Sequence, residues 1–179
     1  MKKIIWVCGI IAGIISVSWG VLSAGVLTDG LSLNTRMVFG YATMILGFSL
    51  IFVAIKNYRD TYNNGQITFG KALRIGLLIT LIASTVYMVV WMIDYSYFVP
   101  DYGDKYQAQA IAEMKASGIS AGELQTKTAE MTSTMAKYKS SFAFRTMFTY
   151  LEIVPVGIVI SIIAALILKN KAKPATVNV

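Results

Sequence analysis

Residues 75–93 read IGLLITLIASTVYMVVWMI, a block of nineteen residues without a charged side chain. Lys71 and Arg74 precede the block, and Asp94 follows it directly. An α-helix needs roughly 20 mainly apolar residues to cross the hydrocarbon core of a bilayer. The block therefore predicts a transmembrane helix, and it is the clearest indication of the fold in the chain.

Three further blocks have the same character and complete the predicted architecture. They cover residues 4–27, 37–55 and 147–168, and a lysine or arginine lies within two residues before each. Only the last contains a charged residue, Glu152. We therefore predict an all-α integral membrane protein in which residues 1–179 form one membrane domain, a four-transmembrane-helix bundle.

The composition of the 179-residue chain also indicates a membrane protein. Hydrophobic residues make up 56% of it and charged residues only 14%, whereas soluble proteins carry about 25% charged residues. Much of the net charge of +7 comes from lysines and arginines at the ends of the blocks. Such residues set membrane orientation and contact anionic headgroups, so we expect the lipid bilayer as a partner and no nucleic acid.

The chain lacks the residue sets from which most active sites are built. It has no histidine, and Cys8 is its single cysteine, so the commonest general base and the usual metal-ligand clusters are missing. It also has no glycine-rich phosphate loop and no nucleophile with a recognisable base. We predict that the protein is not an enzyme and holds no cofactor or metal ion.

The basic residues predict how the bundle lies in the membrane. Nine of them fall in residues 2–3, 56–74 and 169–173, together with a single acidic residue. The other seven are spread over residues 28–36 and 94–145 among a similar number of acidic residues. Because the more positive side is normally cytoplasmic, we expect a multi-pass protein of the bacterial inner membrane with both termini cytoplasmic.

The first block has an alternative interpretation as a signal peptide. Two lysines precede its apolar core, and Ser23 stands before a small residue that could follow a cleavage site. The block is longer than the usual 7–15 residues of a signal-peptide core, which favours an uncleaved anchor. Cleavage would leave three spans and the same orientation of the rest.

The segment between the third and fourth blocks is more polar and has helical patterns. Pro100 opens it, Gly118 interrupts it, and Ser120 with Glu123 has the spacing of a capping box. An apolar stripe follows in Leu124, Thr128, Met131, Met135 and Tyr138. We predict an extracytoplasmic helical hairpin over about 100–140, between helices 3 and 4. Its stripe either packs on the bundle or, within residues 102–138, docks a protein partner.

Small residues recur at helical spacing within the blocks, as with Gly9 and Gly13 in the first. Such residues let transmembrane helices approach closely. The pattern indicates packing inside one bundle. In the alternative, the face with Gly9 and Gly13 contacts a second copy and gives a homo-oligomer.

Four charged residues fall near one level of the predicted bundle and are candidate binding residues. Glu152 lies inside the fourth block, where a charge costs roughly 3 kcal/mol on insertion scales at the helix centre and suggests a functional site. Arg145 lies two turns earlier on the same face, Arg36 opens the second block, and Asp94 closes the third. We predict that the four residues form either a structural ion-pair network or a proton- or ion-responsive site.

Short segments spread over nearly the whole chain carry a family resemblance. They include Tyr58-Arg59-Asp60, Phe69-Gly70-Lys71-Ala72, Tyr97-Phe98-Val99-Pro100-Asp101 and Tyr150-Leu151-Glu152-Ile153-Val154-Pro155. These segments resemble a bacterial four-span membrane protein family catalogued as a domain of unknown function, number forty-one ninety-nine. The resemblance implies the same topology and brings no activity or catalytic residue with it.

Two functions are consistent with these patterns. The first is a membrane-embedded interaction or assembly protein, in which the bundle anchors a hairpin that binds a partner. The alternative is a small oligomeric transporter or ion-responsive membrane protein centred on Glu152. The four blocks contain a single charged residue, whereas a path for a polar substrate would need several polar side chains. The sequence therefore favours the interaction or assembly protein.

Overall fold

The computed structural model describes residues 2–25 and 30–170 of the chain. Within them the chain forms seven α-helices: α1 Lys2–Gly25, α2 Leu33–Phe48, α3 Leu50–Asn57, α4 Phe69–Tyr97, α5 Tyr102–Ala116, α6 Ala121–Ser140 and α7 Phe142–Leu168. A π-helical turn, Tyr58–Tyr62, extends α3. The end of the predicted first span, residues 26–27, lies outside the described residues, as do Lys171 and Lys173, which were predicted to be cytoplasmic.

Four helical runs are long and apolar enough to cross a membrane. They are Lys2–Ala24, Leu33–Tyr62, Phe69–Tyr97 and Phe142–Leu168. The predicted all-α fold with four transmembrane helices is therefore confirmed, and the protein is a multi-pass membrane protein. The last three runs are longer than the predicted blocks because the helices continue into their polar flanks.

The start of α4 illustrates how a span extends beyond its apolar block. The Thr68 hydroxyl accepts a hydrogen bond from the backbone N–H of Lys71 at 3.4 Å and so caps the helix. Lys71 and Arg74, which the sequence placed before the span, therefore belong to its first two turns.

Helix α4 lies at the centre of the bundle. It packs against α1 and α7, while α2 packs against α1 and α3 contacts α4 and α7. Side chains without any exposed area fill the interior, among them Phe48, Ile51, Ile79 and Ile153.

Glycines let the helices approach one another as the sequence predicts. A Cβ added at Gly13 would lie 2.7 Å from the Ala83 carbonyl oxygen, and one at Gly76 would lie 2.7 Å from the Ser161 hydroxyl. A Cβ at Gly9 would likewise meet a side chain of α4 at 2.7 Å. The face with Gly9 and Gly13 is therefore occupied within the chain. A homo-oligomer through another face stays a prediction.

Helices α5 and α6 run antiparallel and lie at the end of the bundle where α4 ends and α7 begins. Gly118 joins them with a positive φ of 73°, a conformation that glycine adopts without strain. Gln107 Nε2 donates to Thr132 Oγ1 at 2.7 Å, and Lys139 Nζ lies 2.5 Å from Asp104 Oδ2. Two helices therefore occupy the predicted segment 100–140, and their extracytoplasmic placement stays a prediction.

The opposite end of the bundle is held by contacts between the loop before α4 and the end of α7. Ile67 and Asn170 exchange two backbone hydrogen bonds of 2.9 Å, and the Asn170 side chain donates to the Gly65 carbonyl at 3.1 Å. Arg59 pairs with Asp60 at 2.6 Å and also donates to the Leu168 carbonyl at 3.4 Å. Arg59 therefore has a structural role at this end.

Candidate functional site

A cavity of about 600 Å³ lies between the four spans and the α5–α6 pair. Its floor includes Ser16, Met44, Tyr87 and Glu152, each nine to eleven residues from the end of its helix nearest to α5 and α6. At 1.5 Å per helical residue, the floor lies roughly 13–17 Å below those helix ends. The cavity therefore penetrates the apolar part of the bundle.

The roof of the cavity comes from the two connecting helices. Tyr102 and Tyr106 of α5 face into it, as do Met131, Met135 and Tyr138 of α6. Three members of the predicted apolar stripe thus line the cavity. The other two, Leu124 and Thr128, line a separate groove between α5 and α6. The stripe therefore lines these two spaces, and the docking of a protein partner through residues 102–138 stays a prediction.

The cavity wall contains exposed side chains at two places. They include Met37 and Tyr41 of α2 and Phe148 of α7, which are 52%, 42% and 44% exposed. They also include Lys127 and Glu130 of α6. The exposed part of the wall therefore comes from two spans and from the roof.

Glu152 contributes a carboxylate to the floor. Glu152 is exposed and lines the cavity, although it lies ten residues inside α7. The carboxylate makes no ion pair and no hydrogen bond with another described residue. The predicted candidate thus lies where a bound molecule would reach it.

The negative charge of Glu152 affects the pKa of the two tyrosines in the roof. Burial raises the pKa of the Tyr102 phenol, and the negative charge of Glu152 raises it further. The pKa of Tyr106 is raised by the same two causes in the same order. Arg36 also lines the cavity, and its positive charge lowers the pKa of Tyr102, with a smaller effect than Glu152.

A second polar group on the floor has no hydrogen-bond partner among the described residues. Ser16 Oγ lies on the cavity wall, the residue is only 2% exposed, and its hydroxyl makes no hydrogen bond. A buried hydroxyl without a partner costs free energy. The Ser16 oxygen lies in the contact with Gly47, where an added Cβ would be 2.5 Å from it, and almost none of its surface is open to the cavity.

Arg145 binds the connecting helices to the bundle and does not line the cavity. Its guanidinium lies 4.3 Å from the centre of the Tyr95 ring and 5.7 Å from that of Tyr138, and it donates to the Tyr138 carbonyl at 3.0 Å. Trp91 Nε1 donates to Tyr138 Oη at 2.7 Å. We call Trp91, Tyr95, Tyr138 and Arg145 the aromatic latch.

Asp94 lies near the end of α4, where its carbonyl accepts from the backbone N–H groups of Phe98 and Val99 at 2.8 and 3.0 Å. Its Oδ2 is buried without a hydrogen-bond partner among the described residues. No ion pair in the described chain joins two of the four predicted residues. The structure brings Glu152 and Arg36 to one cavity, Arg145 to the latch, and Asp94 to neither.

Most of the cavity wall was not predicted as a site. The aromatic residues Trp19, Tyr87 and Trp91 and the methionines Met37 and Met44 were part of apolar blocks. The available signal was that tyrosine, tryptophan and methionine gather at the end of the third span, from Tyr87 to Tyr97, and in the segment that follows it. Among the described residues, no three His, Cys, Asp or Glu side chains group to hold a metal ion.

Comparison with protein families agrees with the resemblance. The model of the family described as "Protein of unknown function (DUF4199)" matches residues 8–170. No curated protein and no solved structure matches the chain. Because the matched segment includes most of the first span, the other three spans and both connecting helices, the protein belongs to the DUF4199 family.

Proposed function

We propose that the protein is a membrane-embedded binding protein whose cavity takes up a small amphiphilic molecule. The observation that carries the proposal is the cavity itself, with the Glu152 carboxylate on its floor and aromatic and thioether side chains elsewhere. Ligand sites are typically concave, mostly apolar, and about 300–1,000 Å³ in volume, with a few polar groups that fix the orientation of the ligand. The cavity agrees with each of these features.

This proposal develops the predicted function centred on Glu152. The predicted assembly role has less support, because Met131, Met135 and Tyr138 of the proposed docking segment face the cavity. Transport by a small oligomer would use the same cavity as its substrate site.

The proposal includes an orientation in a bacterial inner membrane with both termini cytoplasmic. Lys2 and Lys3 lie at the end of the bundle that also holds the loop between α3 and α4 and the end of α7. The α5–α6 pair lies at the other end. Since lysine and arginine concentrate on the cytoplasmic side, the cavity would face the extracytoplasmic leaflet.

The proposal can be tested with the tryptophans of the cavity. In a Trp6→Phe variant, Trp19 and Trp91 are the remaining tryptophans, and both line the cavity. The variant, in nanodiscs of zwitterionic lipid, is titrated with 8-bromo-1-octanol, whose bromine quenches indole fluorescence on contact. We expect a saturable quenching component above the linear quenching by molecules dissolved in the bilayer.

Cavity-filling variants supply the matched control. A Cβ added at Gly20 would meet its nearest atoms, in Trp91, at 3.9 Å, and Gly20 lines the cavity, so Gly20→Leu places its side chain there without a severe clash. Gly70 has nothing within 4 Å and lies at the other end of the bundle. Gly20→Leu should remove the saturable component and Gly70→Leu should keep it. Linear quenching in all three proteins would refute the proposal.

A further inference from the structure

We infer that the ligand of this cavity is an organic cation, an amine or quaternary ammonium group on an apolar body, whose charge is bound by Glu152 and the aromatic rings above it. The inference rests on the proposed function, because it names the class of ligand that the same cavity takes.

The first argument is the state of the Glu152 carboxylate. It lies within a membrane span and has no described partner for its charge. A carboxylate in such a position costs several kcal/mol, less towards the ends of a helix, and charged groups there usually pair with another group. A cationic ligand would supply the missing pair, whereas an anionic ligand would add a second negative charge to the floor.

The second argument is the arrangement of rings opposite the carboxylate. Tyr102 and Tyr106 stack with ring centres 6.1 Å apart, and Trp91 meets Tyr102 edge-on at 5.0 Å. All three line the cavity. The faces of such rings attract ammonium groups, and clusters of them recognise quaternary ammonium ligands. The cavity therefore combines a carboxyl group with several aromatic rings of the kind that bind cations.

The other charged groups of the wall lie on α2 and α6. Lys127 pairs with Glu123 at 2.7 Å, and both side chains are exposed. Glu130 is exposed on the same helix. Arg36 of α2 affects the Tyr102 ring less than Glu152 does, as the opposed shifts of the Tyr102 pKa indicate. We place the cation between Glu152 and the roof tyrosines, because the carboxylate and these rings line the same cavity.

The same wall is unsuited to an inorganic cation. Calcium takes six to eight oxygen ligands, and magnesium keeps an octahedral oxygen shell. At the level of Glu152 the described wall offers one carboxylate and the Tyr87 phenol, among methionines and aromatic rings. These surroundings match an apolar body with one charged group.

The test compares three eight-carbon probes that differ in their charge. They are (8-bromooctyl)trimethylammonium, 8-bromo-1-octanol and 8-bromooctanoate, titrated into the Trp6→Phe protein in nanodiscs. We expect the cation to reach half-saturation at about one tenth of the alcohol concentration, because an ion pair with ring contacts of roughly 1.4 kcal/mol is a tenfold effect. The anion should bind more weakly than the alcohol.

Glu152→Gln should abolish the preference for the cation while 8-bromo-1-octanol still binds, which also shows that the variant is folded. Asp101→Asn is the matched control and should keep the preference, because Asp101 is an exposed carboxylate that does not line the cavity. If Glu152→Gln does not accumulate, Tyr106→Leu replaces it and should reduce the preference about two- to fivefold, as expected for loss of one ring contact.

Failure of the inference and failure of the proposed function are distinguishable. Saturable binding of the alcohol without a preference for the cation, or a preference that survives Glu152→Gln, would overturn the inference and leave the binding function intact. No saturable quenching by any of the three probes would refute the proposed function as well.

Discussion

The hydrogen bond between Trp91 and Tyr138 should be a large contributor to the attachment of α6 to the bundle. Both residues are buried, 8% and 7% exposed, and the bond is 2.7 Å long. Tyr138→Phe keeps the ring and its contact with Arg145 but removes the acceptor of the indole N–H. A buried donor left without a partner costs about 1–3 kcal/mol. For a chain of this size, each kcal/mol corresponds to about 2–4 °C in melting temperature.

We therefore expect Tyr138→Phe to lower the melting temperature of the detergent-solubilised protein by about 2–12 °C. Differential scanning fluorimetry with a thiol-reactive dye is suitable, because Cys8 is the single cysteine and is buried. Tyr97→Phe is the control, since Tyr97 is 79% exposed and surface changes are usually within about 0.5 kcal/mol.

The reasoning would be refuted if Tyr138→Phe melted within about 1 °C of the wild type, which is the range expected of a surface change. A double-mutant cycle with Trp91→Phe isolates the bond itself. Once the donor is absent, removing the acceptor should cost about 1 kcal/mol less than it does in the wild type.

Three further predictions concern the packing of α7, the contact between α5 and α2, and the orientation in the membrane. Gly157→Ala should destabilise the protein by about 1–3 kcal/mol in thermal unfolding, because the added Cβ would overpack the contact between α7 and α4. Glu113→Ala should speed amide hydrogen exchange in α5 about fivefold, because Glu113 Oε1 accepts from the first backbone N–H of α2 at 2.9 Å. In a cysteine-free background, a membrane-impermeant maleimide should label Lys115→Cys in intact cells with a permeabilised outer membrane. Lys56→Cys should react only after lysis.

Controls make each of these outcomes decisive. Gly70→Ala has open space and should change stability by only a few tenths of a kcal/mol; equal effects at both glycines would contradict the packing argument. Glu123→Ala removes an exposed carboxylate and should leave exchange in α5 unchanged. Labelling of Lys56→Cys before lysis would reverse the proposed orientation.

The spans could be predicted from the sequence because each is an uninterrupted apolar block of the required length. Their ends were less accurate, since a charged residue in the first turn of a helix looks like a flank when only hydropathy is considered. Lys71 and Arg74 lie within α4 because Thr68, a polar residue before them, caps the helix. The two connecting helices were indicated by Gly118 and by the capping box, whose Ser120 hydroxyl accepts from the Glu123 N–H at 3.2 Å.

The candidate site was predictable only in part. Glu152 was identifiable because an isolated charge in an apolar block is rare. The other three charged residues lie near the same level, but level along the membrane normal does not fix the direction in which a side chain points. Arg145 stacks on the Tyr95 ring of α4 and donates to the Tyr138 carbonyl of α6 instead of pairing with Glu152. These contacts depend on how α6 packs on the bundle, which a local sequence pattern does not show.

The hydrogen bonds between Ile67 and Asn170 determine where the bundle can move. They join the start of α4 to the end of α7 at the end away from the cavity, so these two helices share a pivot there. Any rotation about that pivot displaces the far ends of α4 and α7 the most. Those ends carry the aromatic latch and line the part of the cavity next to α5 and α6. A small change in helix tilt would therefore be amplified into a change in the width of the cavity, while the ends of the same helices at Ile67 and Asn170 hardly move.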